Sequence, residues 1–353
     1  MFLPDTIQKK RAISPAGDKN ARICIVGDFT DNFDLAAGRP FSGPAGSVLE
    51  SCLHQAGLIR AECYLTNVIK TPPSGRIRDK KCGPNAEFFR LNNNGKGTFT
   101  EAGMPWVTAL REELSSVHAN IYVAAGPAAF TALCAGRKLS KFRGYVRESS
   151  GFARNPGSPE LKVIPTFSPA DTVRGMYTNR TIIAIDLKKA KAESAYPEII
   201  RPVRNLVYNY SNLEECLAWM EVLYNAPVLA FDIEVVNYEV ACISFSNSPD
   251  LGLVVPITDH WTEEEEVYIW RGIQRLLGNT KSIKVAQNAI FDIHFLLTST
   301  GIEVRGEVHD TMVGHSVMFT ELQKGLGFLG SIYCGSQAYW KDLVKFDDVK
   351  EDS

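Results

Sequence analysis

The sequence predicts two α/β domains in tandem: a parallel-sheet α/β/α domain, then a smaller domain on a mixed sheet. Three observations predict this. A length of 353 residues exceeds one ordinary domain. Short apolar runs alternate with helical stretches up to about residue 191, the pattern of a parallel sheet covered on both faces. After the proline-bearing stretch 192–205 (AESAYPEIIRPVRN), the pattern restarts with three closely spaced strands, the spacing of an antiparallel meander. The boundaries that follow are 1–191, a linker over 192–205, and 206–353.

In the first domain the apolar runs Arg22–Val26, Cys63–Val68, Ala119–Ala125 and Leu161–Thr166 read as buried strands. Helices are expected near Ser47–Ala56, Trp106–Leu114, Ala128–Ala135 and Asn179–Lys191. Residues 74–100, rich in Arg, Lys, Asn and Gly after Pro72-Pro73-Ser74-Gly75, read as an exposed loop. Ligands of parallel sheets bind at the carboxyl ends of the strands. Those ends carry Gly27-Asp28, Asn67, Gly126 and Phe167-Ser168. In the second domain a helix over Leu213–Leu223 precedes strands Val228–Ile233, Val240–Ser246 and Gly252–Pro256. A helix over Glu263–Leu277, a strand Ile283–Ala286 and a helix Ile290–Thr298 follow.

The net charge of −2 hides an asymmetry. Residues 1–195 hold 27 Lys and Arg against 17 Asp and Glu, whereas 196–353 hold 11 against 23. A basic half is the usual footprint of polyanion binding, although a solvated basic surface gives the same count. Metal-binding carboxylates account for part of the acidic half's charge. The eight cysteines form no CxxC pair and read as mostly buried free thiols. No run approaches a membrane span, and the polar N-terminus lacks the apolar core of a signal peptide, so a cytoplasmic location is expected.

In AFDIEV, Asp232 and Glu234 lie two apart on an extended run and share a face, while Phe231 and Ile233 turn to the core. Paired carboxylates repel unless a cation neutralises them, and hard oxygen donors favour Mg²⁺ or Mn²⁺. Taken alone, Asp-Ile-Glu reads equally as a strand end with solvated acids. A second constellation, KVAQNAIFDIHFL, places Asn288 and Asp292 four apart on one face of a helix start. With HDTMVGHSVMF and KGLGFLGSIY following in order, the set resembles the proofreading 3′-5′ exonuclease domain of family A DNA polymerases, an RNase H-like fold. The resemblance implies Asp232, Glu234 and Asp292 as metal ligands, Asn288 as a support of the site or the DNA end, and Asp310 as an adjacent residue. The family's fourth carboxylate sits in a late Tyr-x-x-x-Asp helix. No such motif occurs after Asp292, so the domain is expected to be partial and its nuclease activity low; Asp342, Asp347 and Asp348 are the acids available.

The segment VGDFTDNFDLAAGRPFSGPAGSVL, followed by YLTNVIKTPP, VAAGPAAFTAL and PTFSPADTVRG, resembles the uracil-DNA glycosylase superfamily, especially its iron–sulfur branch. Such enzymes extrude a base and read its edge in a pocket. The resemblance implies that Phe41 stacks on the base, that Asn67 pairs with the uracil edge, and that the backbone at Gly27 meets O2. Asp28 or Asp34 would stabilise the cationic sugar or orient water. Ser42, Gly43 and the helix start behind them would receive a phosphate, and Arg76, Arg78, Lys80 and Lys81 would track the DNA backbone. Each residue also has a plainer reading: Phe41 as core, Asn67 as a strand-end cap, the loop charges as solvent-facing. Three departures stand out. Asp28 replaces the family's Glu, the cluster cysteines are missing, so no iron–sulfur cluster is expected, and Ser168-Pro169 replaces His-Pro. Ser168, Pro169 and Asp171 also read as a capping-box-like helix start. The partners implied are DNA, and a polymerase domain or other replisome proteins of a phage; no membrane partner is expected.

Overall fold

The computed structural model describes residues 12–135, 138–153, 160–201, 203, 205–208 and 212–334. These fall into two compact units, one of residues up to Arg201 and from Gly327 onward, the other of the residues between.

The first unit is built on a five-stranded sheet. Strands β1 (Ile23–Phe29) and β2 (Cys63–Ile69) are buried almost throughout, as expected of strands covered on both faces, with Asp28, Thr66 and Asn67 as the polar or charged residues toward their carboxyl ends. Between them lie α1 (Asn32–Ala37) and α2 (Pro44–Gln55). A small hairpin follows, β3 (Phe89–Leu91) with β4 (Gly97–Phe99), then α3 (Met104–Ser115). Strand β5 (Ile121–Ala125) leads into α4 (Pro127–Cys134) and a short α5 (Leu139–Phe142). Strands β6 (Arg147–Ala153) and β7 (Glu160–Thr166), then α6 (Pro169–Val173) and α7 (Asn179–Glu193), complete the run. The strand order is β2-β1-β5-β7-β6, parallel except for the antiparallel edge strand β6. Residues 74–100 are not wholly an exposed loop. Phe88 and Phe89 are buried, and Phe89 packs on Phe99 at 5.1 Å, because three apolar rings outweigh the polar surroundings.

The second unit contains β8 (Asn205–Tyr208), α8 (Leu213–Tyr224), and the meander β9 (Val228–Val236), β10 (Glu239–Ser248) and β11 (Leu251–Pro256). It continues through α9 (Glu263–Gly278), β12 (Ile283–Ala286), α10 (Ala289–Thr300), β13 (Val308–Asp310) and α11 (Thr311–Met318). Its mixed sheet runs β13-β12-β9-β10-β11-β8, so β9 is central, antiparallel to β10 and parallel to β12. Helix α9 opens on a capping box from Thr262 and Glu265. The last described helix, α12 (Leu326–Tyr333), groups with the first unit from Gly327 onward.

Candidate functional site

In the first unit, register places Gly27 of β1 beside Asn67 of β2 and Ala125 of β5, so three strand ends meet. A cavity of about 840 Å³ opens there, lined among others by Asp28, Asp34, Phe41, Asn67, Ser168 and the basic Arg78, Lys80 and Lys81. Gly27, Ser42 and Gly43 lie behind its walls, and Arg76 is outside the lining.

Phe41 is the most constrained wall residue. Its φ of 54° is left-handed, costly for a bulky non-glycine residue. Three contacts hold it there. Arg60 donates from Nη1 to the Phe41 carbonyl at 2.8 Å and from Nη2 to the Pro40 carbonyl at 2.5 Å. A Cβ at Gly46 would sit 1.9 Å from the same Phe41 carbonyl. A Cβ at Gly27 would meet the Phe41 ring at 2.5 Å and Asn67 Oδ1 at 2.3 Å, so only glycine lets ring and amide meet.

Asn67 is almost fully buried, and its Nδ2 donates to Thr30 Oγ1 at 3.2 Å and toward Asp34 Oδ2 at 3.5 Å. Asp34 also accepts the Ser42 N–H at 2.6 Å, and burial raises its carboxyl above the usual range. Ser42 is thus committed to Asp34 and, through its hydroxyl, to the Arg39 carbonyl. Gly43 caps α2 under Phe33.

Asp28 points away from solvent into the N-terminus of α4, accepting the Ala129 N–H at 2.8 Å. Burial pushes its pKa up to about 8, against the Ala129 bond, and the charge of Asp171 adds to the rise. Asp28 is therefore largely a neutral acid at pH 7, which sequence alone did not indicate. Ser168 stands at the N-cap of α6 but makes no side-chain cap bond; the Asp171 N–H donates to the Ser168 carbonyl at 3.0 Å, and the Asp171 carboxylate pairs with Arg174 at 2.8 Å. The residues missed from sequence are Arg60, Thr30 and Arg174. Arg60 clamps a carbonyl 19 residues away, which no local pattern reveals.

In the second unit, Asp232 and Glu234 are exposed on β9 while Phe231 and Ile233 are buried, the expected alternation. Asp292 lies in the first turn of α10 and accepts the Ile233 N–H at 3.1 Å, between the two strand carboxylates in sequence. Burial pushes its pKa up to about 6, offset by that bond and raised again by Asp232. Asn288 is the N-cap of α10 in a left-handed conformation, φ 61°, with its N–H donated to Asp310. Asp310 also accepts from Ala289, Met312 and Val313, so it is occupied in joining α10 to α11. Among the described residues, no group of three or more His, Cys, Asp or Glu side chains is gathered so as to hold a metal ion. Asp232 and Glu234 flank Ile233, whose N–H Asp292 accepts, so the start of α10 brings Asp292 to the part of β9 that carries the two other carboxylates. In kind, the donors fit a hard divalent cation, since all are carboxylate oxygens and Asp232 already acts electrostatically on Asp292. Asp342, Asp347 and Asp348 lie outside the described residues.

A parallel-sheet unit with a large cavity at its strand ends, joined to a mixed-sheet unit with carboxylates on its central strand, has the layout of a glycosylase-type domain fused to a nuclease-type domain. Comparison with known proteins gives the families. Residues 14–188 match the uracil DNA glycosylase superfamily, and residues 207–347 match the 3′-5′ exonuclease family of the DNA polymerase A type. The type-4 uracil-DNA glycosylase of Thermotoga maritima is 28% identical over 193 residues, covering 54% of this chain and 86% of that protein. DNA polymerase I of Pseudomonas aeruginosa is 28% identical over 143 residues, covering 37% of this chain but 15% of the polymerase. The crystal structure of Escherichia coli RNase D, an exoribonuclease, aligns at 16% identity over 39% of this chain and 36% of its own; its TM-score of 0.32 is too low to argue from. Divalent-metal dependence and nucleic-acid binding follow from the domain families. No helix among the described residues is long and apolar enough to cross a membrane.

Proposed function

We propose that the first unit binds DNA with one pyrimidine turned out into the 840 Å³ cavity, and hydrolyses the N-glycosidic bond of uracil. The observation that carries this is Phe41, held left-handed by Arg60, with its ring and the Asn67 amide both close to Gly27 on the cavity wall. Strain of that kind persists where the surroundings enforce it, which is how a rigid stacking wall is built. Phe41 would stack on the base, and Asn67, its Nδ2 committed to Thr30 and Asp34, would offer Oδ1 to the base N3–H. As the C1′–N1 bond breaks, its electron pair passes to the base; Ser168 or neutral Asp28 can donate a hydrogen bond to that charge. Asp34 would steady the cationic sugar and direct the water that adds to C1′. Arg78, Lys80 and Lys81 would meet phosphates.

A second reading, a silent DNA-binding module, is favoured by Ser168, which cannot become cationic as histidine can. The second unit is proposed as a 3′-end DNA exonuclease whose Asp232, Glu234 and Asp292 hold Mg²⁺ or Mn²⁺, with Asn288 near the DNA end, working alongside a phage replication polymerase. Held by these three carboxylates, such an ion would supply Lewis-acid chemistry for phosphodiester hydrolysis. The test is to incubate the chain with uracil-containing single- and double-stranded DNA and score abasic sites. Turnover lost in Asn67→Ala supports excision. Salt-sensitive binding without turnover leaves the binding module.

A further inference from the structure

Helix α12 has the sequence LGFLGSIY and lies within the stretch matching the exonuclease family, yet it packs as part of the glycosylase unit. Its contacts are specific. Buried Arg143 pairs with buried Asp186 at 2.8 Å and donates its other terminal nitrogen to the Ser331 hydroxyl. Lys189 donates to the Ser331 carbonyl at 2.5 Å, and Tyr145 to the Gly327 carbonyl at 2.8 Å. A Cβ at Gly144 would stand 2.7 Å from the Ser331 carbonyl, so the helix backbone lies directly on that turn. Leu329 and Ile332 are buried as well.

The same cluster reaches the pocket. Asp186 accepts the Thr166 hydroxyl at 2.7 Å, and Thr166 is the last residue of β7. The Arg143 guanidinium lies 5.0 Å from the Phe328 ring and 5.8 Å from the Phe167 ring, so it is sandwiched between α12 and the residue preceding Ser168. A buried cation with one acceptor removed must rearrange, and its nearest neighbours move with it.

We propose that α12 is a positioning element of the glycosylase pocket: by fixing Arg143 against Phe167 and Asp186 against Thr166, it sets the turn that presents Ser168. Arg143 is then a positioning residue rather than a catalytic one. The proposal rests on the cavity's being the base-binding site, and its test separates the two. Arg143→Met would leave Asp186 buried without its cation and endanger folding, so the full chain is tested as Ser331→Ala, Ser331→Thr and Gly330→Leu. A side chain at Gly330 is driven into Tyr145 Oη, 3.0 Å from the ideal Cβ. Hydrogen exchange is followed by mass spectrometry over 326–333, 165–174 and, as reference, 44–55, together with affinity for a uracil-containing oligonucleotide. Ser331→Ala and Gly330→Leu should speed exchange over 165–174 about tenfold, leave 44–55 unchanged and weaken binding about tenfold. Ser331→Thr, which keeps the hydroxyl, should restore both. Opening of 326–333 with 165–174 still protected overturns the proposal. So does unchanged protection of 326–333 in both disruptive variants. Movement of 165–174 in a chain that never binds the oligonucleotide upholds the positioning role and removes the pocket reading.

Discussion

Asp28→Asn should flatten the pH dependence of the glycosylase unit's stability. The native carboxyl titrates near 8 rather than at 3.8, chiefly through burial. Between those values the folded unit holds a proton that the unfolded chain has released, so stability is full below pH 3.8 and lost as pH rises through 8. The shift is roughly four units at ~1.4 kcal/mol each, a ceiling of about 5 kcal/mol. From pH 5 to pH 8 the native protein should lose at least ~2 kcal/mol more than Asp28→Asn does. The amide is a fair control, because its oxygen can still accept the Ala129 N–H. Other buried acids such as Asp186 and Asp34 titrate in both proteins and cancel in the difference. Urea-unfolding midpoints read by pulse proteolysis at pH 5, 6.5 and 8 measure it. Parallel losses in the two proteins would refute the assignment of a neutral buried Asp28, and with it the hydrogen-bond donor proposed for the leaving base.

Phe41→Gly relieves the left-handed strain but empties a buried ring site, so it should destabilise the unit by about 2 kcal/mol and weaken binding of uracil-containing DNA about tenfold through lost stacking; urea unfolding and fluorescence anisotropy read the two. Arg60→Met should weaken the same binding with Phe41 intact, because the loop carbonyls at Pro40 and Phe41 lose their donors. Replacing Arg78, Lys80 or Lys81 singly by Ala should lower the slope of log affinity against log salt by about one, without changing base preference. Calorimetric Mn²⁺ binding to the nuclease unit should tighten about tenfold per pH unit up to about 6 and then level, as Asp292 gives up its proton; Asp292→Asn should remove that dependence.

The frame of both units was legible because physics repeats itself along the chain. Strands β1, β2, β5 and β7 are buried on both faces and so appear as predominantly apolar runs, and β9 alternates as a half-covered strand must. The elements missed are short or at edges. Strand β6 (RESSGFA) is polar and its pairing slips between Glu148 and Ala153, while β3, β4 and β13 span three residues each, too few to show a period. At the site, Phe41, Asn67 and the carboxylates could be named from their motifs. Their states could not. The neutral form of Asp28 depends on burial by packed elements distant in sequence, which outweighs the Ala129 hydrogen bond a hundred residues on, and the strain at Phe41 depends on Arg60. The bond of Asp171 to Arg174 rather than to a helix N–H is a choice between local partners that sequence leaves open.

The grouping of α12 with the first unit bears on how the chain is made. The unit's earlier described residues end at Arg201, and it resumes at Gly327, within its last described helix, after a stretch of about 125 residues. At roughly 5–20 residues per second of synthesis, some 6–25 seconds separate the two. Through that interval Arg143 and Asp186 face each other without Ser331, and Tyr145 without the Gly327 carbonyl. Residues 202–326 are made meanwhile, so the helix that closes this cluster is synthesised after them.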